Sequence, residues 1–245
     1  GRDEQLDYAK GIEHAGSVEA FIKNDLYNPK RQMLGEEQEA WLQQALQRSK
    51  ARGATWQVLG QQVLMGKLNI PVIPPEELAK LELSEYARPR VAQTQQLAPY
   101  GLPSNLDAWD GYPAARERLF AMFTAHATNP ISLAGDTHNG WAFNLANQKG
   151  EAVGVEWGTP GISSPGLESY VPLPPEQMRA LLKGASPELV ACDTSQRGWT
   201  QFTLTPEAAT AQWRFVSSVL EPVFTAQSGP ELTAEKGHRR LKAQR

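Results

Sequence analysis

The alternation of helical and strand-like segments constrains the fold of this chain most strongly. The first helical stretch carries a narrow apolar stripe at Trp41, Leu42, Ala45 and Leu46, and a second one begins at Pro113. A short apolar run in "TWQVLGQQVLM" lies between them, and three later segments, "PELVACDTS", "GWTQFTLTP" and "AATAQWRFVSSV", alternate apolar and polar residues. Helical periodicity combined with strand alternation predicts a mixed α/β fold with sheet-rich packing.

The composition fits a globular protein and excludes several other classes. Of the 245 residues, 40% are hydrophobic and 21% are charged, and a net charge of −3 gives no electrostatic footprint for nucleic acid. No apolar run approaches the about 20 residues of a transmembrane helix. The single cysteine, Cys192, excludes an intrachain disulfide. We expect it to be a small buried apolar residue rather than a metal ligand.

We divide the chain into three parts. We predict a polar helical lead-in over residues 1–30, the main domain over residues 31–225, and a basic tail over residues 226–245, of which the last ten residues are expected to be solvated and frayed. Within the main domain, residues 66–107 contain prolines at 71, 74, 75, 89, 99 and 103, which forbid one continuous helix. A segment of this length is more often functional cover than linker, so we predict a long loop that covers a functional surface.

A polar turn interrupts two apolar runs in "ISLAGDTHNGWAFNL", residues 131–145. Gly135 permits a sharp bend, after which Asp136 offers a carboxylate, His138 an imidazole and Asn139 an amide. A spacing of two residues on a tight turn can direct a carboxylate and an imidazole to one cation. The alternative is a turn in which these residue types serve local hydrogen bonds. Two ligands do not complete a metal site.

A second polar cluster lies in "NLDAWDGYPAARER" and contains Asp107, Asp110, Tyr112 and Arg116. In one interpretation, these groups present carboxylate, phenol and guanidinium to an anionic substrate. In the other, the cluster is a capping turn in which Asp110 accepts hydrogen bonds from backbone amides and Trp109 packs. Both interpretations stay open at the level of sequence.

Four sequence blocks together point to a known family. "WDGYPAAR" and "GDTHNGWAFNL" are preceded by "MLGEEQEAWLQQALQRSKARGATWQVLGQQVLM" and followed by "VEWGTPGISS". From about Gln32 to Ala211, the chain resembles the carboxyl-terminal half of the alkaline phosphatase D (PhoD-like) metallophosphatase family. A weaker fifth block, "QRGWTQFTL", is similar to a late strand of that family, with Trp199 in place of tyrosine.

The resemblance implies a calcineurin-like α/β sandwich, with residues 31–225 as a catalytic half-domain. It implies a phosphomonoesterase or phosphodiesterase that acts through a metal-bound hydroxide, with iron and calcium or similar ions as cofactors and a phosphate ester as substrate. Asp136 and His138 match metal ligands, and His138, Asn139 and Arg116 are the catalytic candidates. Arg116 and Asp110 also match family positions, where they either line the site or support it structurally. The resemblance also implies a periplasmic or secreted location.

The chain departs from the family pattern in the ligands that it lacks. The amino-terminal blocks of the "GDxxY" and "NHE" or "DDHE" type do not occur, and Gln61 and Gln62 stand where many metallophosphatases have a histidine. Because Gly1 is not methionine, we interpret it as a cut or processed start. We expect the remaining ligands on upstream sequence of the same polypeptide or on a second chain. The alternative is a degenerate, non-catalytic homologue that serves as a binding or assembly module.

Overall fold

The computed structural model describes residues 3–243 and contains two β-sheets. The first has five strands in the order β1-β2-β4-β3-β5, with bounds Gln57–Gly60 for β1, Pro130–Ala134 for β2, Gly140–Ala146 for β3, Ala152–Gly158 for β4 and Leu189–Asp193 for β5. It is mixed, because β1, β2 and β4 run parallel whereas β3 runs antiparallel to β4 and β5. The second sheet is antiparallel, in the order β6 (Gly198–Leu204), β7 (Ala208–Val216), β8 (Ala226–Glu235) and β9 (Leu241–Ala243).

Seven α-helices are assigned within residues 3–243: α1 (Tyr8–Ala15), α2 (Val18–Phe21), α3 (Glu36–Ala51), α4 (Pro75–Leu78), α5 (Ala87–Leu97), α6 (Pro113–His126) and α7 (Pro175–Ala185). The predicted helix start at Pro113 is confirmed. Proline fits the first turn of a helix because an N–H at that position would have no acceptor within the helix. Ser17 caps α2 by accepting a hydrogen bond from the backbone N–H of Ala20. None of the helices in this part of the chain is long and apolar enough to span a membrane.

Two main hydrophobic clusters hold these layers together. The helices pack on one face of the mixed sheet, where Phe120 and Phe123 of α6 join Phe143 of β3. The opposite face packs against the antiparallel sheet, whose strand β7 buries every second side chain, at Ala209, Ala211, Trp213 and Phe215. Burial of alternate residues follows from the two-residue period of a strand. The predicted mixed α/β fold with flanking helices is therefore confirmed.

The lead-in and the proline-rich segment pack together in a third cluster. Phe21 and Leu26 of the lead-in contact Ile70, Leu97 and Leu102 of residues 66–107. That segment is only partly irregular, since it contains both α4 and α5. The prolines interrupt it as predicted, and the proline within α5 lies in its first turn, where no helical hydrogen bond is lost.

The prediction of a frayed basic tail is wrong for the residues that the structure describes. Residues 226–235 form β8, which pairs with β7, and residues 241–243 form β9. Leu232 and Ala234 point into the core between the sheets. This strand has only a weak signal in the sequence, because just its carboxyl-terminal half carries an apolar alternation. Arg245 lies outside the described residues.

Candidate metal site

The polar turn between β2 and β3 has an unusual backbone. Asp136 has a φ of 68° and His138 a φ of 61°, so two non-glycine residues adopt the left-handed conformation within three positions. Aspartate and histidine tolerate this conformation better than most residues, but it still costs free energy. Such a conformation, held by the surrounding structure, is a recognised mark of functional sites.

The imidazole of His138 is oriented by the backbone of the loop that follows β4. Its Nδ1 atom lies 2.9 Å from the carbonyl oxygen of Pro165. Because a carbonyl only accepts, Nδ1 donates its N–H, and the tautomer with this proton on Nδ1 has its lone pair on Nε2. Metal-binding histidines show this arrangement, in which the second ring nitrogen donates to a carbonyl or carboxylate. A further hydrogen bond, from the N–H of Gly161 to the carbonyl of His138, ties the loop to the turn.

Asn139 attaches the same loop to the turn. Its side chain is buried, and Oδ1 accepts a hydrogen bond of 3.0 Å from the backbone N–H of Leu167. Across residues 3–243, no partner lies within hydrogen-bond distance of its buried Nδ2. The fit is close, because a Cβ atom at Gly166 would clash with Nδ2 and lie 2.8 Å from Cγ of Asn139. The amide therefore holds the loop that orients His138, instead of reaching toward solvent.

Asp136, Thr137, His138 and Asn139 line one cavity of about 620 Å³. The structure thus brings three of the predicted site residues together. Asp136 and His138 are both exposed at its surface, whereas the Oγ1 atom of Thr137 accepts a 2.6 Å hydrogen bond from Trp141. Part of the opposite wall comes from residues 66–107, including Ile73 and Val91. That segment was predicted to cover a functional surface.

The donors on this chain fit only one edge of a metal centre. Asp136 and His138 provide a carboxylate and an oriented imidazole, but residues 3–243 contain no group of three or more His, Cys, Asp or Glu side chains placed to hold a metal ion. Cys192 does not add a ligand, because it is buried and burial raises the pKa of its thiol to about 12. The prediction of a buried, apolar Cys192 is confirmed.

Comparison with known proteins identifies the family. The profile of the PhoD-like phosphatases matches residues 2–213. The chain belongs to this family. It is similar to alkaline phosphatase D of Bacillus subtilis (strain 168), with 30% identity over 200 residues, which are 80% of this chain and 28% of that protein. A solved structure of PhoD aligns with 90% of the chain at a TM-score of 0.63 and 25% identity, and the alignment covers 37% of the PhoD chain.

These matches confirm the resemblance and the metallophosphatase-like fold predicted from the sequence. The chain spans about a third of the length of the relatives that it matches.

Arg116 occupies a family block but does not line the cavity around the polar turn. Its side chain is 1% exposed, and Nε donates to the carbonyl of Met65 at 2.6 Å while Nη1 donates to the carbonyl of Ala146 at 3.1 Å. Nη2 forms an ion pair of 2.6 Å with Glu188. Burial raises the pKa of the Glu188 carboxyl, and the charge of Arg116 opposes that shift. These contacts favour the supporting role for Arg116 over contact with substrate.

Asp110 has surroundings of the same kind. Its buried carboxylate accepts a 2.9 Å hydrogen bond from the backbone N–H of Leu68, at the start of residues 66–107. Burial raises its pKa to about 7, while the N–H of Leu68 and the charge of Arg116 act in the opposite direction. The observed contacts match the capping interpretation, in which Asp110 anchors the covering segment.

Sequence reasoning missed a buried carboxylate in the mixed sheet. Glu156, at the centre of β4, accepts hydrogen bonds from Ser132 at 2.7 Å and from the N–H groups of Met65 and Gly66 at 2.9 and 2.8 Å. Burial raises the pKa of its side chain. Gln61 joins this network through Ser132 and also accepts from the indole of Trp109 at 2.7 Å. The only signal in the sequence was a charged residue inside the apolar run "AVGVEWG".

Proposed function

We propose that this chain forms the carboxyl-terminal part of a metal-dependent phosphoric ester hydrolase, acting on monoesters or diesters. Asp136 and His138 then bind one ion of the metal centre, for which family relationship suggests iron and calcium. The observation that carries the proposal is the hydrogen bond from His138 Nδ1 to Pro165, which leaves Nε2 free at the cavity. Family relationship also supports a periplasmic or secreted location.

A bound metal would supply positive charge that polarises the phosphoryl group and offsets the negative charge of its transition state. The residues of this chain then have separate tasks. The carboxylate of Asp136 balances part of the metal charge, and His138 offers a neutral nitrogen. Asn139 takes no direct part, but its contact with Leu167 keeps the loop in place. Asp110 holds the backbone of Leu68, which lines the cavity, and Arg116 holds the carbonyl of Met65, earlier in the same stretch of chain.

The geometry of the mixed sheet supports a place for the missing ligands. β1 is an edge strand, and the N–H groups of Gln57 and Gln61 bond to the carbonyls of Asn129 and Leu133 on its inner side. Because strand residues alternate in direction, the backbone groups of Val58 and Gly60 face outward. A strand that added in parallel there would bring its carboxyl end to the sheet edge that carries the polar turn. We assign the remaining ligands to such strands, on upstream sequence or on a second chain.

Metal analysis and turnover test this proposal. The chain is to be assayed alone and after mixing with the amino-terminal part of a PhoD polypeptide, for metal content and for hydrolysis of p-nitrophenyl phosphate and bis(p-nitrophenyl) phosphate. We expect stoichiometric metal and turnover in the reconstituted species, and a loss of metal in Asp136→Asn. Glu221→Gln, which changes an exposed carboxylate elsewhere, serves as the control. Absence of both metal and turnover in the mixture would sink the proposal.

The second candidate is a degenerate homologue that binds a partner without catalysis. The incomplete ligand set within residues 3–243 favours it. The same variant separates the two functions. In a degenerate homologue, Asp136→Asn changes only stability and leaves metal content and turnover as they were.

A further inference from the structure

The cavity beside the polar turn has two chemically different ends. Asp136 to Asn139 form the polar end. The part formed by α5, α7 and the neighbouring loops, called here the apolar end, includes the apolar side chains of Ile73, Val91, Val171, Met178 and Leu182. The cavity volume of about 620 Å³ lies within the range of about 300–1,000 Å³ that is usual for small-molecule sites.

Four polar side chains that also line the cavity, those of Arg90, Thr94, Gln95 and Asn105, already form contacts within the protein. Gln95 accepts a hydrogen bond from the N–H of Ile73 and donates to the carbonyl of Pro71. Thr94 donates to the carbonyl of Val91. The guanidinium of Arg90 stacks on the ring of Tyr86, with Cζ 3.7 Å from the ring centroid, and Nη1 donates to the carbonyl of the same residue. A hydrophilic substituent would lose its hydration at the apolar end and gain few partners in exchange.

We propose that the cavity binds phosphoric esters that carry an aryl or alkyl substituent. The phosphate group lies at the end formed by Asp136 and His138, and the apolar substituent lies between α5 and α7. The placement of the phosphate rests on the proposed function, whereas the placement of the substituent rests on the lining of the cavity alone. Apolar area removed from water supplies the affinity for this part of the substrate.

The apolar end is testable without metal or turnover, on the chain as it is. The methyl groups of Ile, Leu, Val and Met are isotope-labelled, and their NMR spectrum is followed while 1-butanol or 1-hexanol is added. We expect saturable shifts at Ile73, Val91, Met178 and Leu182. Each buried methylene strengthens binding by about threefold to fourfold, so 1-hexanol is expected to bind about tenfold more tightly than 1-butanol.

Two controls make the result specific. Val171→Gln, at the cavity wall, is expected to weaken 1-hexanol binding at least about threefold, whereas Val72→Gln, at a side chain that is 57% exposed and outside the cavity, leaves it unchanged. A second apolar groove, lined in part by Met33 and Leu42, reports unspecific binding.

Shifts confined to Met33 and Leu42, or no saturation at the four reporter residues, would overturn the inference. Either result leaves the phosphoesterase proposal intact, because the measurement involves no metal. Failure of metal binding, in turn, leaves the alcohol result unaffected.

Discussion

The Nδ1 atom of His138 lies 2.9 Å from the carbonyl oxygen of Pro165. This contact joins the turn after β2 to the loop after β4, two segments that are adjacent only because β2 and β4 are neighbouring strands of the mixed sheet. The orientation of the imidazole therefore depends on a loop that is distant along the chain. Mutations in that loop are the most direct way to test this dependence.

Gly166→Ala is expected to disturb His138 without touching it. The added methyl would lie 2.8 Å from Cγ of Asn139, so the loop must move and carry the Pro165 carbonyl away. The ¹⁵N spectrum of the imidazole should show the Nδ1–H tautomer in the unmodified chain and a larger share of Nε2–H in the variant. Metal affinity of the reconstituted protein should fall about 10- to 100-fold. Gly184→Ala is the control, since no atom lies within 4 Å of a Cβ at that position. An unchanged tautomer in Gly166→Ala would refute the positioning role.

Arg116→Met is expected to destabilise the fold strongly. The change leaves the carbonyl of Met65 and the carboxylate of Glu188 without their donor in a buried setting. Loss of one partner of a buried ion pair typically costs about 3–5 kcal/mol in the free energy of unfolding, measured by urea denaturation. Arg88→Met, at an exposed arginine, should change that free energy by less than about 0.5 kcal/mol. Unchanged stability combined with lost turnover would return Arg116 to a catalytic role.

Asp110 should give the folded state a characteristic pH dependence. Its pKa is raised from 3.8 to about 7 by burial, so between these values the folded state keeps a proton that the unfolded state releases. The stability associated with this proton is complete below pH 4 and is lost as the pH rises toward 7, by up to about 1 kcal/mol per pH unit. Because Glu156 and Glu188 also have raised pKa values, Asp110→Asn should make this decline shallower in urea denaturation measured at several pH values, and Glu207→Gln, at an exposed carboxylate, should leave it unchanged. Identical pH profiles for Asp110→Asn and the unmodified chain would contradict the prediction.

Val58→Pro should block association at the β1 edge without unfolding the chain. The N–H of Val58 faces away from β2, so proline removes a donor that only an added strand would use. Binding of the amino-terminal part of a PhoD polypeptide, measured by calorimetry, should be lost, while the thermal midpoint of the chain alone stays within a few degrees. Val58→Thr keeps the N–H and should bind normally. Normal binding by the proline variant would place the association elsewhere.

Local patterns predicted the elements that depend on local physics. The start of α6 at Pro113 follows from the backbone of proline, and the burial pattern of β7 follows from its alternation. The proximity of Asp136 and His138 at one cavity belongs here too, because residues on the same turn lie close together in any fold. The apolar stripe of α3 was less informative, since Trp41 is 64% exposed although Leu42 and Leu46 are buried.

The supporting groups were beyond sequence reasoning because their partners are distant along the chain. Arg116 contacts the carbonyls of Met65 and Ala146, and Glu156 accepts from the N–H groups of Met65 and Gly66. A charged residue inside a helix or strand looks the same whether its partner exists or not. Only the folded backbone distinguishes a supporting ion pair from a substrate contact.

The left-handed backbone at Asp136 and His138 lowers the stability of the fold, whereas the side chains at these positions serve the proposed metal binding. Glycine adopts that conformation without steric penalty. Selection for stability alone would therefore favour glycine at both positions. Among natural variants of this chain, glycine at both positions would mark lineages that have lost the proposed metal binding, and retained side chains would mark those in which it is under selection.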